Sequence, residues 1–328
     1  MTAVAVCIAA VFALTFISVL LCAVIVSRRL NRSVTATFAE WYMRLSRGAN
    51  YYDRAVAELE GLKAEGDTPY KLPRGVKSKV IQYKTDGLQV YEFNPAGGGH
   101  TVLALYGGAY VHRPLKYHIK FYDKLACLSD CRIVMPVLPR SPFSTVIEGY
   151  RAAMSVYLAV VQRGDIVLLG DSSGGGLAVG LTLKLKEEGR PLPEKLILLA
   201  PWVDMTMTNE DIPDYEMSDP RNSRALAKLW GSAWAGGMPL NEAMLSPIYG
   251  DLSGLPPVVQ YVGTRDLLYP DCKLFHQKLK SAGVKSAFVE GMGLNHVYPL
   301  YPIPEARTAL SQISQEISNS AFDGEGRY

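Results

Sequence analysis

After Tyr106, apolar runs of about five or six residues alternate with helix-like segments of about 12 to 20 residues. Strands that are apolar throughout belong to sheets covered on both faces, so this alternation predicts a parallel sheet flanked by helices. The predicted strands are 132–137, 166–170, 196–200, 257–263 and 286–290. The predicted helices are 117–128, 146–162, 175–188, 271–282 and 305–317.

Three further strands are predicted before this alternation begins, at 79–83, 88–93 and 101–106. The opening strands of this group have the pattern of antiparallel strands, so the sheet is expected to be mixed. The sequence FNPAGGGH separates the second strand from the third and predicts a hairpin-like turn between them.

Two helical segments interrupt the strand–helix order and predict a cap. Residues 37–63 have the pattern of one or two amphipathic helices with a break at Gly48, and residues 204–241 form an insertion. We expect cap elements at roughly 37–70 and 204–241, over the carboxyl ends of the strands, where open α/β sheets bind ligands. The expected domains are a membrane anchor with its basic flank at 1–35 and an α/β domain at 36–328.

Residues 1–27 contain no charged side chain. As a helix this segment would be roughly 40 Å long, enough to span the roughly 30 Å hydrocarbon core of a bilayer. A secretory signal peptide is the alternative, but its basic residues precede a shorter apolar segment. Here Arg28, Arg29 and Arg32 follow the apolar segment, which predicts a retained single-pass anchor with the catalytic domain on the cytoplasmic side.

These three arginines account for the whole formal net charge of +3, so the rest of the chain is formally neutral. A neutral body without a basic run gives no electrostatic footprint for nucleic acid, and no such partner is expected. Hydrophobic residues make up 48% of the chain and charged residues 20%, which predicts a packed core. The five cysteines include no C-x-x-C pair, so neither a disulfide framework nor a structural metal site is expected.

The sequence GDSSGGGLAVG follows a predicted strand and leads into a predicted helix. Its glycines would allow a dinucleotide-binding turn, but such a turn usually opens the first βαβ unit, and this one lies far into the chain. A phosphate-binding loop would need G-K-[ST] after the glycines, which is absent from this segment. The alternative is G-x-S-x-G, a sharp strand-to-helix turn that exposes Ser172 as a nucleophile.

The residues needed to activate that serine follow later in the chain. Asp266 comes just after the strand predicted at 257–263, and His296 just after the one at 286–290. This order, with each residue in a loop after a strand, predicts a triad in which His296 is the base and Asp266 orients it. Asp271 is the competing acid, although its position at a helix start favours a capping role.

Together these motifs resemble the hormone-sensitive-lipase-like branch of the α/β-hydrolases, the bacterial family IV esterases. The resemblance covers roughly 101–317 and includes GDSSGG, LAPWVD, SDP, LSPIYGDLSGLPPVVQYVGTRDLLYPD and NHVY in the family's order. It implies an α/β-hydrolase fold, no cofactor, and oxyanion donors from Gly107, Gly108, Ala109 and Ser173. An N-terminal anchor on such a domain is also similar to arylacetamide-deacetylase-type enzymes.

Two loops depart from the family's pattern. The family's HGGG is YGGA here, and the Tyr106 hydroxyl could support the loop as the family's histidine does. Ala109 keeps its N–H but adds a methyl group near the acyl site. The family's YRLAPE is MPVLPR here, ending at Arg140, which changes the expected pocket wall.

The predicted function is hydrolysis of small-molecule or lipid-like carboxylic esters with short to medium acyl chains, through an acyl-enzyme intermediate. Tyr110 and Trp202 are the candidate pocket residues, and His112 is a candidate at the pocket mouth. The same triad would serve an amidase or deacetylase, and the sequence leaves that alternative open. A non-catalytic binding protein of this fold is expected to lack a triad member, and all three are present.

Overall fold

The computed structural model describes residues 2–48 and 50–319. Residues 320–328, which complete the predicted α/β domain, lie outside the described residues. The described helices are α1 (Thr2–Arg29), α2 (Val34–Arg47), α3 (Tyr51–Glu65), α4 (Lys116–Ser129), α5 (Val146–Val161), α6 (Ser172–Glu187), α7 (Ile212–Glu216), α8 (Arg224–Ala235), α9 (Tyr269–Ser281) and α10 (Pro304–Ser318). The described strands are β1 (Val80–Thr85), β2 (Leu88–Phe93), β3 (Thr101–Leu105), β4 (Arg132–Pro136), β5 (Ile166–Asp171), β6 (Lys195–Leu199), β7 (Val258–Gly263) and β8 (Ser286–Gly291).

The eight strands of the described residues form one mixed sheet in the order β1-β2-β4-β3-β5-β6-β7-β8. β2 pairs antiparallel with both β1 and β4, whereas the six strands β4, β3, β5, β6, β7 and β8 run parallel to one another. Asp86 and Gly87 join β1 to β2 with positive φ at both positions, the turn that suits the twist of a hairpin. The prediction of a mostly parallel mixed sheet is confirmed.

The predicted hairpin-like turn between β2 and β3 is wrong, because β4 lies between these two strands. The turn instead runs against the loop that precedes β4. Gly99 donates its N–H to the Asp130 carbonyl oxygen at 2.9 Å, and a Cβ added at Gly97 would lie 2.6 Å from the same oxygen. The glycines of this turn therefore allow a close approach to a distant part of the chain, which the local sequence pattern does not reveal.

The central strands form the core of the sheet. Every residue of β3, β5, β6 and β7 is buried, and α4, α5, α6 and α9 pack against the sheet. A strand buried on both faces has no side for polar residues, which is why these strands are apolar nearly throughout.

α6 approaches the sheet more closely than a residue with a side chain would allow. A Cβ at Gly174 would overlap the carbonyl oxygen of Leu105 at the end of β3, and one at Gly176 would overlap the carbonyl oxygen of Trp202. These glycines are thus explained by the packing of the helix that begins at Ser172.

Helices are present in both predicted cap segments, α2 and α3 in the first and α7 and α8 in the second, and α3 contacts α8. α1 is long and apolar enough to cross a membrane. Mean hydropathy reaches 2.8 over an 18-residue window within Val4–Arg29, and only 6% of that 18-residue window is buried. α2 begins at Val34, so it crosses the predicted boundary between residues 35 and 36. The anchor and the domain limits stay predictions.

Gly174→Ala should lower the free energy of unfolding by about 3 kcal/mol, the upper end for overpacking, because the obstacle is a main-chain oxygen. Gly61→Ala is the matched control, since a Cβ added there in the middle of α3 meets nothing within 4 Å. That control should be neutral or stabilise by up to about 1 kcal/mol. Urea titrations of both variants measure the difference, and equal stabilities would contradict the packing explanation.

Candidate active site

Ser172 lies at the turn from β5 into α6 with a φ of 51°. A positive φ is strained for a residue with a Cβ, and it turns the side chain outward at the carboxyl edge of the sheet. Gly107, in the loop after β3, approaches from the other side, where a Cβ would lie 2.9 Å from the Cβ of Ser172 and overlap the Asp171 carboxylate. The outward turn of Ser172 therefore depends on small residues around it.

The structure brings Ser172, His296 and Asp266 together in one hydrogen-bonded chain. His296 Nε2 lies 3.0 Å from Ser172 Oγ, and His296 Nδ1 lies 2.8 Å from Asp266 Oδ2. Because an ionised carboxylate only accepts hydrogen bonds, Nδ1 carries the proton and Nε2 is free to accept one from the serine hydroxyl. This arrangement can transfer a proton away from Ser172.

Parallel strands deliver these side chains to one edge of the sheet, with Asp266 after β7 and His296 after β8. Asp266 is fully buried, and its Oδ1 accepts the N–H of Leu268 at 2.9 Å. Asp219, from the inserted segment that carries α7 and α8, accepts the N–H of Leu267 at 3.0 Å. The loop that carries Asp266 is therefore held both from within and from the cap.

Burial raises the pKa of Asp266, and the attraction of His296 offsets this only in part. Burial alone would lower the pKa of His296, but the charge and hydrogen bond of Asp266 outweigh it and raise the pKa above the usual 6.5. The pair therefore favours the charged imidazolium that forms when the histidine takes a proton.

The loop after β3 provides unpaired backbone donors beside Ser172. Within the described residues, the N–H groups of Gly107, Gly108 and Ala109 donate to no protein acceptor. Ser173 is in the first turn of α6, where an N–H has no helical partner four residues earlier. These four N–H groups are the predicted oxyanion donors, and that role stays a prediction.

Two side chains near this loop support it. Tyr110, a predicted pocket residue, stacks on Trp234 with ring centroids 4.5 Å apart and donates its hydroxyl to the Ser173 carbonyl oxygen at 2.7 Å. Arg140, from the MPVLPR segment, donates to the carbonyl oxygen of Val111 at 3.1 Å. The departure from the family sequence at this segment therefore contributes to holding the loop.

Tyr106 is buried directly before the glycine loop, and burial raises the pKa of its hydroxyl to about 12. It is therefore a neutral phenol at physiological pH. Its ring meets the edge of His118, with centroids 6.1 Å apart.

Sequence reasoning missed a buried pair under the nucleophile, His118 and Asp171. His118 Nδ1 accepts the N–H of Leu115 at 3.0 Å, so its Nε2 carries the proton and donates to Asp171 Oδ2 at 3.1 Å. This bond fixes the carboxylate that borders Gly107 and Ser172. No local motif marks His118, which lies 53 residues before Asp171 in the chain.

Two cavities meet at Ser172, and Ala109, Trp230 and His296 line both. The smaller has a volume of about 30 Å³ and is also lined by Trp202, the other predicted pocket residue. The larger has a volume of about 150 Å³ and extends towards Tyr51 of α3 and His112. Their walls are largely apolar.

The other candidate residues lie away from the reacting atoms. His112 borders the larger cavity, and its Nδ1 lies 3.1 Å from a carboxylate oxygen of Glu58. Asp271 is in the first turn of α9, where its Oδ1 accepts from Asn209 at 2.8 Å and not from His296. Among the described residues, no group of three or more histidine, cysteine or acidic side chains could hold a metal ion.

Comparison with known proteins agrees with this geometry. Residues 102–300 match the alpha/beta hydrolase fold family. The chain is 30% identical over 235 residues to an esterase of Acinetobacter venetianus, covering 70% of this chain and 78% of that protein. It is 27% identical over 262 residues to a triacylglycerol lipase of Mycobacterium tuberculosis, covering 78% of this chain and 55% of the lipase. A solved esterase structure of the bacterial hormone-sensitive lipase family has a TM-score of 0.71 at 24% identity, covering 83% of this chain and 98% of that one.

The family match covers more than half of the chain, which therefore belongs to the α/β-hydrolase fold family. The solved structure confirms the predicted resemblance to hormone-sensitive-lipase-type esterases in fold. The predicted class of enzyme, a carboxylic ester hydrolase, is confirmed by the names of the relatives. The chain spans only about half the length of the mycobacterial lipase, so the comparison with that protein extends to the shared part alone.

The raised pKa of His296 predicts the pH dependence of the site. A base must be neutral to act, so kcat/KM should rise with pH through a midpoint above 6.5. Asp266→Asn removes the charge that favours imidazolium, so the midpoint should fall and kcat should drop by roughly three to four orders of magnitude.

Asp271→Asn is the control for this pH profile, because burial raises the pKa of Asp271 to about 7 and this group could titrate in the same range. The rising limb should stay in place in that variant. If the rising limb is lost in Asp271→Asn but keeps its midpoint in Asp266→Asn, the assignment of His296 as the base is contradicted.

Proposed function

We propose that this chain cleaves carboxylic esters of short to medium acyl chains through an acyl-enzyme intermediate on Ser172. The observation that carries this proposal is the hydrogen-bonded chain from Asp266 through His296 to Ser172, at 2.8 and 3.0 Å. His296 takes the hydroxyl proton as Oγ attacks the ester carbonyl, and it then protonates the departing alkoxide. A water molecule deacylates the serine by the same proton exchange and releases the acid.

The oxyanion of each tetrahedral intermediate would be bound by the N–H groups of Gly108, Ala109 and Ser173, with Gly107 beside them. Their lack of protein acceptors supports this role, since donors that are already aimed at the site need no reorganisation during the reaction. The N-terminus of α6 adds partial positive charge at the same place.

The two cavities support a substrate of modest size. Their volumes of about 30 and 150 Å³ are below the roughly 300–1,000 Å³ typical of pockets for drug-sized ligands. We assign the acyl chain to the smaller cavity, where Trp202, Leu267 and Leu268 form an apolar wall beside Ser172. The larger cavity would then accept the alcohol portion.

The same proton transfers would serve amide hydrolysis. The names of the relatives, an esterase and a triacylglycerol lipase, favour esters for this chain as well. The presence of three hydrogen-bonded triad candidates disfavours a binding protein without catalysis.

We also propose that α1 is retained as a single-pass anchor and that the catalytic domain lies on the cytoplasmic side. Arg28 and Arg29 end the helix, and basic residues favour the cytoplasmic flank. Residues just beyond the helix bind the domain: Arg32 donates to the Gly293 carbonyl oxygen at 2.8 Å, and Ser33 Oγ donates to Glu305 at 3.0 Å. Such contacts support a helix that stays attached rather than a leader that is removed.

Ser172→Ala should abolish hydrolysis of p-nitrophenyl butyrate, because no other hydroxyl lies within hydrogen-bond reach of His296 Nε2 among the described residues. Its thermal midpoint should match that of the unaltered chain. Ser129→Ala is the control, since this α4 residue bonds Ser314 away from the site and should keep full activity. Undiminished hydrolysis by Ser172→Ala would contradict the proposed function.

Trp230→Ala should shift the acyl preference towards longer chains, because Trp230 lines both cavities. We expect the ratio of kcat/KM for decanoate over butyrate esters to rise about tenfold, a change typical for space gained in an apolar pocket. Leu229→Ala, on the same helix but lining neither cavity, should leave the ratio unchanged. An unchanged ratio in Trp230→Ala would show that the acyl chain lies elsewhere.

A further inference from the structure

One side of α2 is apolar and exposed. Phe38, Tyr42 and Leu45 follow at helical spacings of four and three residues, and their exposed fractions are 40%, 71% and 83%. The opposite side of the same helix is buried against the domain through Ala36, Thr37, Glu40 and Met43. The exposed apolar side chains of α2 therefore do not serve to pack this helix against the domain.

Two exposed methionines from distant segments lie beside groups that bond to α2 or to the segment before it. Met217 is 84% exposed, and the guanidinium of Arg44 in α2 donates to the carbonyl oxygens of Met217 and Ser218 at 3.3 and 2.8 Å. Met292 is 50% exposed and precedes Gly293, whose carbonyl oxygen accepts from Arg32. We call the exposed apolar side of α2, formed by Phe38, Tyr42 and Leu45, the apolar rim.

A charge cluster centred on the buried Glu40 fixes the apolar rim to the loops of the active site. Glu40 accepts from Arg32 at 2.5 Å, from Arg44 at 2.8 Å and from Arg265 at 3.1 Å. Arg265 directly precedes Asp266, and Gly293 lies three residues before His296. The rim and both catalytic loops are therefore parts of one rigid arrangement.

A lipid bilayer is the partner that fits the rim best. α1, whose apolar side chains are exposed from Val4 to Cys22, ends at Arg29, and α2 begins at Val34 after only four intervening residues. An exposed apolar helix face that starts this close to a bilayer-spanning segment cannot lie far from the lipid. Trp41 and Tyr42 add the aromatic residues that favour the interfacial layer.

We propose that the apolar rim lies in the interfacial layer of the membrane that α1 spans, so that ester substrates reach Ser172 from the lipid. This inference rests on the proposed ester hydrolysis and on the proposed anchor. It defines the substrate class more closely, as esters dissolved in the bilayer, and it makes the cap side of the domain the membrane-facing side.

The first test measures lipid contact and does not depend on activity. The full chain is reconstituted in phosphatidylcholine vesicles, and tryptophan fluorescence is compared with and without brominated phosphatidylcholine, which quenches indole rings in contact with lipid. Trp202, Trp230 and Trp234 are buried, so quenching should come from Trp41 and should be lost in Trp41→Phe. Absence of quenching in the unaltered chain would overturn the proposal.

The second test compares two substrates in the same vesicles. In the double variant Tyr42→Glu with Leu45→Glu, hydrolysis of a long-chain ester dissolved in the bilayer should fall about tenfold or more, equivalent to about 1.4 kcal/mol. Hydrolysis of water-soluble p-nitrophenyl acetate should stay unchanged. The control is Leu128→Glu, on the exposed side of α4, where 61% of the side chain is exposed and neither rate should change.

The outcomes separate this inference from the proposed function. If the unaltered chain hydrolyses neither ester while Trp41 is quenched, the proposed function is contradicted and the contact of the apolar rim with the lipid is supported. If both esters are hydrolysed and the double variant affects them equally, the route from the lipid is overturned. If the rim instead joins two copies of the chain, the double variant turns a dimer into a monomer in detergent and quenching is absent, which also overturns the proposal.

Discussion

The close approach of α6 to the main chain of β3 is the constraint on which the rest of the site depends. Gly174 meets the carbonyl oxygen of Leu105, and Gly107 meets Ser172 and Asp171 from the opposite loop. These contacts place the start of α6 beside the loop after β3. A strained serine, a helix N-terminus and a row of unpaired N–H groups are therefore held at the same point.

The other side of the site is held by charges rather than by small residues. Asp219 bonds the loop that carries Asp266, and Glu40 bonds Arg265 in the same loop. Both acidic residues come from outside the sheet, one from the inserted segment and one from α2. The two segments predicted as a cap thus also contribute to the position of Asp266.

Much of the fold is predictable from the sequence because each element has a local signature. The apolar runs that became β5 to β8, and the break between α2 and α3, need no knowledge of distant residues. The side chains of Ser172, Asp266 and His296 could be singled out because each follows a strand, although their catalytic roles stay predictions. The place of β4 between β2 and β3 could not be predicted, since strand order depends on pairing across the whole sheet.

The contacts that sequence reasoning missed join residues far apart in the chain. His118 meets Asp171 across 53 residues, and Arg32 meets Gly293 across 261. Neither has a motif, because a single buried hydrogen bond leaves no periodic pattern. The contacts of Tyr110 with Trp234 and with the Ser173 carbonyl oxygen likewise join residues that no local pattern connects.

The short connection between α1 and α2 has a consequence for how the domain moves. A catalytic domain on a flexible linker of many residues explores a volume set by the linker's length. Here Leu30 to Ser33 separate the two helices, and both Arg32 and Ser33 are bonded to the domain. The connection is therefore short and bonded to the domain, which restricts rotation and translation of the domain relative to the end of α1. Any molecule that it acts on has to come to a fixed height and orientation relative to the end of α1.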